Sequence, residues 1–218
     1  MAEETEHPPS RPFFFLSYTR SRREQDGAGQ PDDDEDRYVV EFYRDLCQHI
    51  RQLAYVEPGV SPGFFDRAMQ TSAQWPEQIQ NALATCQTFV ALYKPGYFQS
   101  KWCGREWAAF ESRQKLSRPP GSIAHDAIIP VLWVEEKRLP SPLPDAARSI
   151  QYSDLRTPVS YRHEGVYGMR ESGYENDYKK TSLAIARLIV DVAETMRIPP
   201  CSPSVFQEGL SAFHEEAV

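Results

Sequence analysis

Short runs of apolar residues alternate along the chain with longer stretches in which apolar residues recur every three or four positions. The run from Phe13 to Tyr18 precedes such a stretch from Arg37 to Leu53, and the run from Thr88 to Tyr93 precedes one that begins near Ser100. This alternation is typical of βαβ units, in which helices connect parallel strands. The sequence therefore predicts an α/β fold with a mostly parallel sheet.

Three further strands are predicted from shorter apolar runs. They cover Phe64 to Asp66, Ala127 to Trp133, and a short segment around Ser149 to Tyr152. Pro130 weakens the second of these, since proline cannot donate to a strand ladder. Pro76 is suited to the first turn of a helix. The last predicted helix covers residues 178 to 196.

Composition limits the organisation and the function of the chain. A length of 218 residues with 40% hydrophobic content supports one core. We expect a disordered tail at 1–11, one domain at 12–198, and a tail or linker stub at 199–218. A net charge of -7 argues against nucleic acid as a partner.

Targeting and metal-binding signals are weak in this sequence. No apolar run is long enough to cross a membrane, and the acidic N-terminus does not have the pattern of a secretory signal. The four cysteines form no C-x-x-C pair, and no histidine lies at metal-ligand spacing. We therefore expect a cytoplasmic protein with reduced thiols and no metal site.

One acidic residue lies among aromatic residues on a predicted helix. Trp102 and Glu106 are four residues apart in the segment that follows Ser100, so both lie on one face of the helix. The first predicted strand ends at Ser17 and Tyr18 and continues into polar residues. Ends of this kind are where open α/β sheets bind ligands.

Four segments resemble the Toll/interleukin-1 receptor (TIR) domain family, especially bacterial TIR-like proteins of actinobacterial type. The resemblance covers residues 12 to 198 and rests on motifs in a fixed order. These are Phe15-Leu16-Ser17-Tyr18, Phe65-Asp66-Arg67, Trp102-Cys103-Gly104-Arg105-Glu106, and Ile129-Pro130-Val131. The chain departs from the family in the acidic insertion after the first strand, in Gln74, and in an extended stretch from Pro158 to Asn176.

The resemblance implies a flavodoxin-like TIR fold with a five-stranded parallel sheet and helices on both faces. It implies that Glu106 is the catalytic residue that cleaves NAD+, which is a substrate and not a cofactor. It also implies self-association with other TIR domains, in which the loop from Arg67 to Trp75 moves. The predicted substrate-binding residues are Ser17, Tyr18, Thr19, Arg20, Asp66, Arg67, Trp75, Trp102 and Cys103.

The chemistry of NAD+ cleavage suits a single carboxylate. Ordinary glycoside hydrolysis uses two carboxyl groups, one of which protonates the leaving oxygen. Nicotinamide leaves as a neutral molecule from a cationic linkage, so the protein needs only to hold the ribose and to stabilise the developing positive charge. We expect Glu106 to bind the ribose hydroxyls, Trp102 to stack on the substrate, and Arg20 to meet the pyrophosphate.

Each assignment has an alternative. Glu106 is otherwise a solvated helix residue beside Arg105, and Arg20 is otherwise a surface charge. Cys103 is interpreted as a small buried residue more than as a nucleophile. Asp66 is equally a residue that caps a loop, and Trp107 is interpreted as a core residue.

Two functions remain open. The first is an NAD+ glycohydrolase that yields nicotinamide and ADP-ribose, or a cyclised ADP-ribose, as an effector of bacterial defence activated by self-association. The second is a non-catalytic TIR adaptor that binds other proteins. The dinucleotide-binding, phosphate-loop and hydrolase-elbow motifs are absent from the sequence.

Overall fold

A computed structural model describes residues 11–20, 36–65, 75–117, 127–148, 150, 157–206 and 210–213. Four β-strands and six α-helices lie in these ranges. The strands are β1 (Phe14–Ser17), β2 (Gly63–Phe65), β3 (Thr88–Tyr93) and β4 (Ile128–Leu132). The helices are α1 (Arg37–Leu53), α2 (Glu77–Thr85), α3 (Lys101–Leu116), α4 (Asp145–Arg148), α5 (Val159–Glu171) and α6 (Glu175–Met196).

The strands form one parallel sheet in the order β2-β1-β3-β4. Phe15 pairs with Phe64 of β2 and Phe89 of β3, and Val90 pairs with Ile129 of β4. The α/β prediction with a parallel sheet is confirmed. The described residues contain four strands where five were predicted, and of the predicted fifth strand only Ile150 lies among them.

Helices cover both faces of the sheet. The Phe14 ring lies 5.6 Å from the ring of Tyr43 on α1, whereas the Phe89 ring contacts Trp107 and Phe110 on α3 at 6.0 and 5.5 Å. Successive side chains of a strand point to opposite faces, so α1 and α3 lie on opposite sides. All six residues of β3 are buried, as expected for a central parallel strand.

Pro130 is accommodated within β4. The N–H of Trp133 donates to the Tyr93 carbonyl of β3, whereas the N–H of Leu132 donates to the hydroxyl of Tyr161. Donors alternate in direction along a strand, so the nitrogen of Pro130 lies on the side away from β3. Its missing N–H therefore interrupts no bond between β3 and β4.

Helix α5 fills most of the stretch from Pro158 to Asn176, and the sequence pattern did not predict it. Its regularity is broken at Gly165, whose φ is +67°. A Cβ on Gly165 would lie 2.6 Å from the backbone of Val134, so only glycine allows this close approach of α5 to the end of β4. The kink interrupts the three-to-four-residue spacing of apolar side chains from which an amphipathic helix is predicted.

Residues after α6, which were predicted as a tail, contact the domain. The N–H of Cys201 donates to the Ala84 carbonyl at the end of α2. The Phe206 side chain is 9% exposed and its ring lies 5.9 Å from that of Trp75. Residues 210–213 lie against α3.

Candidate functional site

The strand order creates a natural ligand site at the ends of β1 and β3. Chain connections diverge on either side of these neighbouring strands, because β2 lies beyond β1 and β4 lies beyond β3. Open α/β sheets bind ligands at such a switch point, outside the carboxyl ends of the strands. Ser17 is the last residue of β1, and α3 follows β3 after a short 3₁₀ turn (Tyr97–Gln99).

Glu106 is buried at this switch point. Its side chain is only 2% exposed, and its Oε2 accepts a hydrogen bond from Ser17 Oγ at 2.5 Å. The interpretation of Glu106 as a solvated helix residue is therefore wrong. Ser100 fixes the start of α3, because its side chain accepts from the N–H of Cys103 at 3.2 Å. With the start of α3 fixed in this way, Glu106 in its second turn lies against β1.

Tyr97 completes a chain of three hydrogen-bonded side chains. Its hydroxyl donates to Ser17 Oγ at 3.0 Å, and Ser17 donates in turn to Glu106. Burial raises the pKa of Tyr97 well above its ordinary value, and its neighbours Cys103 and Glu106 raise it further. Tyr97 therefore remains a hydrogen-bond donor to Ser17, and the two O–H dipoles form a chain that ends at the carboxylate. Ser17, which was predicted to bind substrate, contacts the predicted catalytic residue directly.

Cys103 is buried beside Glu106. Burial, followed by the charge of Glu106, raises the pKa of the Cys103 thiol above its ordinary value. A protonated, fully buried thiol is a poor nucleophile. The interpretation of Cys103 as a small buried residue is confirmed.

The three tryptophans near this region have different environments. Trp107 is fully buried against Phe89, which confirms its role in the core. Trp102 is partly buried on the face of α3 that carries Glu106, and its Nε1–H has no acceptor among the described residues. Trp75 packs against Phe206, and its carbonyl accepts from Gln80. Trp102 thus offers a donor on the same helix face as the carboxylate.

The residues that follow β1 remain close to the sheet. Tyr18 is 6% exposed and its ring lies 5.6 Å from that of Phe65. Thr19 lies next to Gly96 in the turn after β3, where a Cβ would be 3.5 Å from the Thr19 methyl group. Arg20 is partly buried. Asp66 and Arg67 lie outside the described residues.

Two polar residues at this edge were missed by the sequence analysis. Tyr97 lies in a short segment that reads only as a loop, and Lys94 forms an ion pair at 3.3 Å with Asp36, the last acidic residue of the run after β1. The sequence signal that could have identified both residues is their position just after β3, where ligand sites of open α/β sheets lie. Sequence spacing could not show that Asp36 and Lys94 meet, because 57 residues separate them.

Two negative findings apply to the described part of the chain. Its His, Cys, Asp and Glu side chains form no group of three or more that could hold a metal ion. Its helices include none with the length and apolar character that crossing a bilayer requires.

The fold and the site define a parallel open-sheet protein with a buried glutamate at the switch point. A family model described as TIR domain matches residues 34–166, which is more than half of the 218 residues. The chain belongs to the TIR domain family. The match includes Tyr97, Trp102 and Glu106, whereas Ser17 lies before it. No curated protein matches the chain in a sequence search.

Proposed function

We propose that the protein is an NAD+ glycohydrolase that cleaves the bond between nicotinamide and ribose. The observation that carries the proposal is the buried carboxylate of Glu106 at the β1/β3 switch point, oriented by Ser17. The products are nicotinamide and ADP-ribose or a cyclised ADP-ribose. We propose that the enzyme acts in the cytoplasm as a signalling effector in bacterial defence.

In the proposed mechanism the carboxylate stabilises positive charge on the ribose as nicotinamide leaves. A fixed charge in a site that excludes water stabilises such a transition state strongly. The hydroxyls of Ser17 and Tyr97 hold the carboxylate in one orientation, so that little reorganisation is needed. Trp102 would stack on the substrate, and its indole N–H, which has no acceptor among the described residues, would donate to it.

The other substrate contacts belong to the same proposal. Arg20, three residues after the end of β1, would bind the pyrophosphate, and Thr19, which lies near Gly96, would also contact the substrate. Asp66 and Arg67 remain predicted contacts. The ring of Trp75 packs against Phe206 and that of Tyr18 against Phe65, and both residues remain proposed substrate contacts.

The direct test measures nicotinamide release from NAD+ by the purified protein and its Glu106→Gln variant. Glutamine keeps the size and removes the charge, so turnover should fall by about 100-fold or more. Glu111→Gln is the matched control, because Glu111 lies on the same helix and pairs only at the surface with Lys115. Undiminished release by well-folded Glu106→Gln would refute the assignment.

We further propose that self-association with other TIR domains activates the enzyme. Glu106 is 2% exposed, so the ribose reaches it only after a rearrangement at the site. A net charge of -7 disfavours association of isolated domains at low salt. Activity per molecule should rise with protein concentration. Constant specific activity in a sample that stays monomeric from nanomolar to high micromolar concentration would contradict this.

A non-catalytic adaptor is the second candidate. A groove of about 910 Å³ lies between the segment after β4 and the start of α5, and its lining includes none of the predicted catalytic or substrate-binding residues. The side chain of Val159 at this groove is 73% exposed. An adaptor would release no nicotinamide at any concentration, so the same assay separates the two functions.

A further inference from the structure

The C-terminal residues 210–213 lie against the helix that carries Glu106. The N–H of Ala212 donates to the Gly104 carbonyl at 3.0 Å. The Phe213 ring contacts the rings of Phe98 at 5.2 Å, Trp107 at 5.4 Å and Tyr97 at 5.6 Å. Residues 210–213 are called the C-terminal strap below. Within the described part of the chain, one backbone hydrogen bond and three aromatic contacts thus hold the strap.

Gly104 makes this contact possible. A Cβ at position 104 would overlap Ser211 Oγ and would lie 3.4 Å from Phe213 Cδ2. Glycine is unfavourable inside a helix compared with alanine, so its presence in α3 has to be explained by something other than helix propensity. The close approach of the strap provides that explanation. Position 104 and the strap are therefore complementary in shape.

The strap is linked to Glu106 through one residue. Phe213 packs on the ring of Tyr97, and the hydroxyl of that ring donates to Ser17, which donates to Glu106. A tyrosine hydroxyl moves with its ring, so the packing of Phe213 constrains where this donor lies. The carboxylate is in this way supported by residues more than 100 positions away in the chain.

We propose that the C-terminal strap positions the catalytic carboxylate, with Phe213 as the positioning residue. Phe213 fixes the Tyr97 ring, Tyr97 fixes the Ser17 hydroxyl, and Ser17 orients Glu106. The catalytic consequence rests on the proposed NAD+ glycohydrolase function, whereas docking of the strap and its effect on the Glu106 side chain do not.

The central variant is Gly104→Ala in the full chain. Its methyl group would overlap Ser211 Oγ and lie 3.4 Å from Ser211 Cβ and Phe213 Cδ2, so we expect it to loosen the strap, while it increases the helix propensity of α3. Gly168→Ala is the matched control, since Gly168 is also inside a helix and the atoms nearest to its added Cβ would be those of the Glu164 side chain. Phe213→Ala removes the ring contact directly, and Phe213→Tyr retains it.

Three measurements are made on each variant. Hydrogen exchange of the C-terminal peptide reports docking, because the Ala212 N–H is bonded only while the strap is in place. The 13C resonance of the Glu106 side-chain carboxyl reports positioning without turnover. Nicotinamide release gives kcat and KM. Thermal unfolding checks that each variant is folded.

Gly104→Ala and Phe213→Ala should expose the C-terminal peptide to exchange and shift the Glu106 resonance. They should lower kcat by about 3- to 10-fold, no more than removal of the Tyr97 hydroxyl itself, with KM nearly unchanged, because a small misplacement of a catalytic group acts on the chemical step. Phe213→Tyr and Gly168→Ala should resemble the wild type in every measurement.

Several results would overturn the proposal. One is rapid exchange of the C-terminal peptide in the wild type, which would mean that the strap does not dock. Another is an unshifted Glu106 resonance and unchanged kcat after the strap has been displaced. A third is a loss of kcat that merely follows a loss of thermal stability. If the wild type releases no nicotinamide, the proposed function fails, and the exchange and resonance data still decide the positioning role.

Discussion

Helix α3 carries two buried charged side chains, and their surroundings differ. Glu106 is 2% exposed and Arg113 is 1% exposed. They are seven residues apart, which is close to two helical turns, so both point to the same side of α3. Arg113 is bonded to main-chain carbonyls, whereas Glu106 is bonded to a side-chain hydroxyl.

The partners of Arg113 are distributed over two segments of the chain. Its guanidinium donates to the Leu83 and Cys86 carbonyls at 2.5 and 2.6 Å, and to the Ile198 and Pro199 carbonyls at 3.3 and 2.9 Å. These bonds join the end of α2 to the chain that follows α6. Main-chain carbonyls cannot turn away without disturbing the fold, so this charge has a structural role.

The contact between Glu106 and Ser17 differs from those of Arg113, because its donor is a side-chain hydroxyl. The Ser17 hydroxyl can rotate about one bond, and it is held in place by the hydroxyl of Tyr97. In the proposed function, these hydroxyl donors are exchanged for ribose hydroxyls without unfolding of the domain. The comparison teaches that burial alone does not identify a functional charge, and that the type of partner is more informative.

The largest expected effect is loss of stability when Arg113 is replaced. Arg113→Met leaves the carbonyls of two segments without their donor, and each such buried acceptor costs about 1–3 kcal/mol. We expect the free energy of unfolding to fall by about 3–5 kcal/mol, because four carbonyl acceptors lose their donor at once. Urea titration provides the measurement. The exposed Arg187 supplies the control Arg187→Met, and an equal effect of both variants would remove the structural role of Arg113.

The next effect concerns Glu106, whose replacement should lower activity and leave stability intact, the opposite of the effect expected for Arg113. Glu106→Gln should lower turnover by about 100-fold, which corresponds to about 2.7 kcal/mol of transition-state stabilisation. Its free energy of unfolding should stay equal or rise by up to about 2 kcal/mol, because residues kept for activity are often not optimal for stability. A loss of several kcal/mol on urea titration would place Glu106 in the same structural class as Arg113.

A smaller effect is expected at Tyr97. Tyr97→Phe keeps the ring contacts and removes the donor to Ser17, so kcat should fall by about tenfold, within the range for a misplaced catalytic group. The unfolding free energy should fall by about 1 kcal/mol. Tyr161→Phe is matched, because that buried hydroxyl accepts from Leu132 instead. It should lose similar stability and no activity, and equal kinetic losses would contradict the orienting role of Tyr97.

The sequence predicted the strands and helices that have strong patterns. Strand β3, helix α1 and the helix of Glu106 follow their predicted positions within a few residues, because local apolar periodicity is determined by burial on one face or two. Helix α5 was missed because its regularity is interrupted at Gly165, which approaches the end of β4. Contacts across the sheet are not encoded in local periodicity.

The same distinction applies to the site. Glu106 and Ser17 were both predicted as functional residues from a resemblance, and the structure brings them together. The role of Tyr97 and the docking of residues 210–213 depend on distances between segments that are remote in sequence. A tyrosine in a loop and an alanine-phenylalanine pair near the C-terminus carry no pattern that would distinguish them from solvent-exposed residues.

The smallest expected effect is on the pH dependence of stability, and it distinguishes Cys86 beside Arg113 from Cys103 beside Glu106. Burial raises the pKa of Cys86 to about 11, with Arg113 acting to lower it, whereas burial and Glu106 both raise the pKa of Cys103. A folded-state pKa above the unfolded value of 9.0 contributes stability that is present below pH 9 and is lost as the pH rises through the folded pKa. For Cys86 this loss falls between pH 9 and about 11, at no more than about 1.4 kcal/mol per pH unit.

Urea titrations at pH 8, 9, 10 and 11 measure this loss. Cys86→Ala should reduce the pH dependence of the free energy of unfolding only between pH 9 and about 11. Cys103→Ala should still reduce this pH dependence at pH 11. Identical slopes for the two variants would mean that the charges of Arg113 and Glu106 do not reach their neighbouring thiols, and the electrostatic part of the comparison would then be wrong.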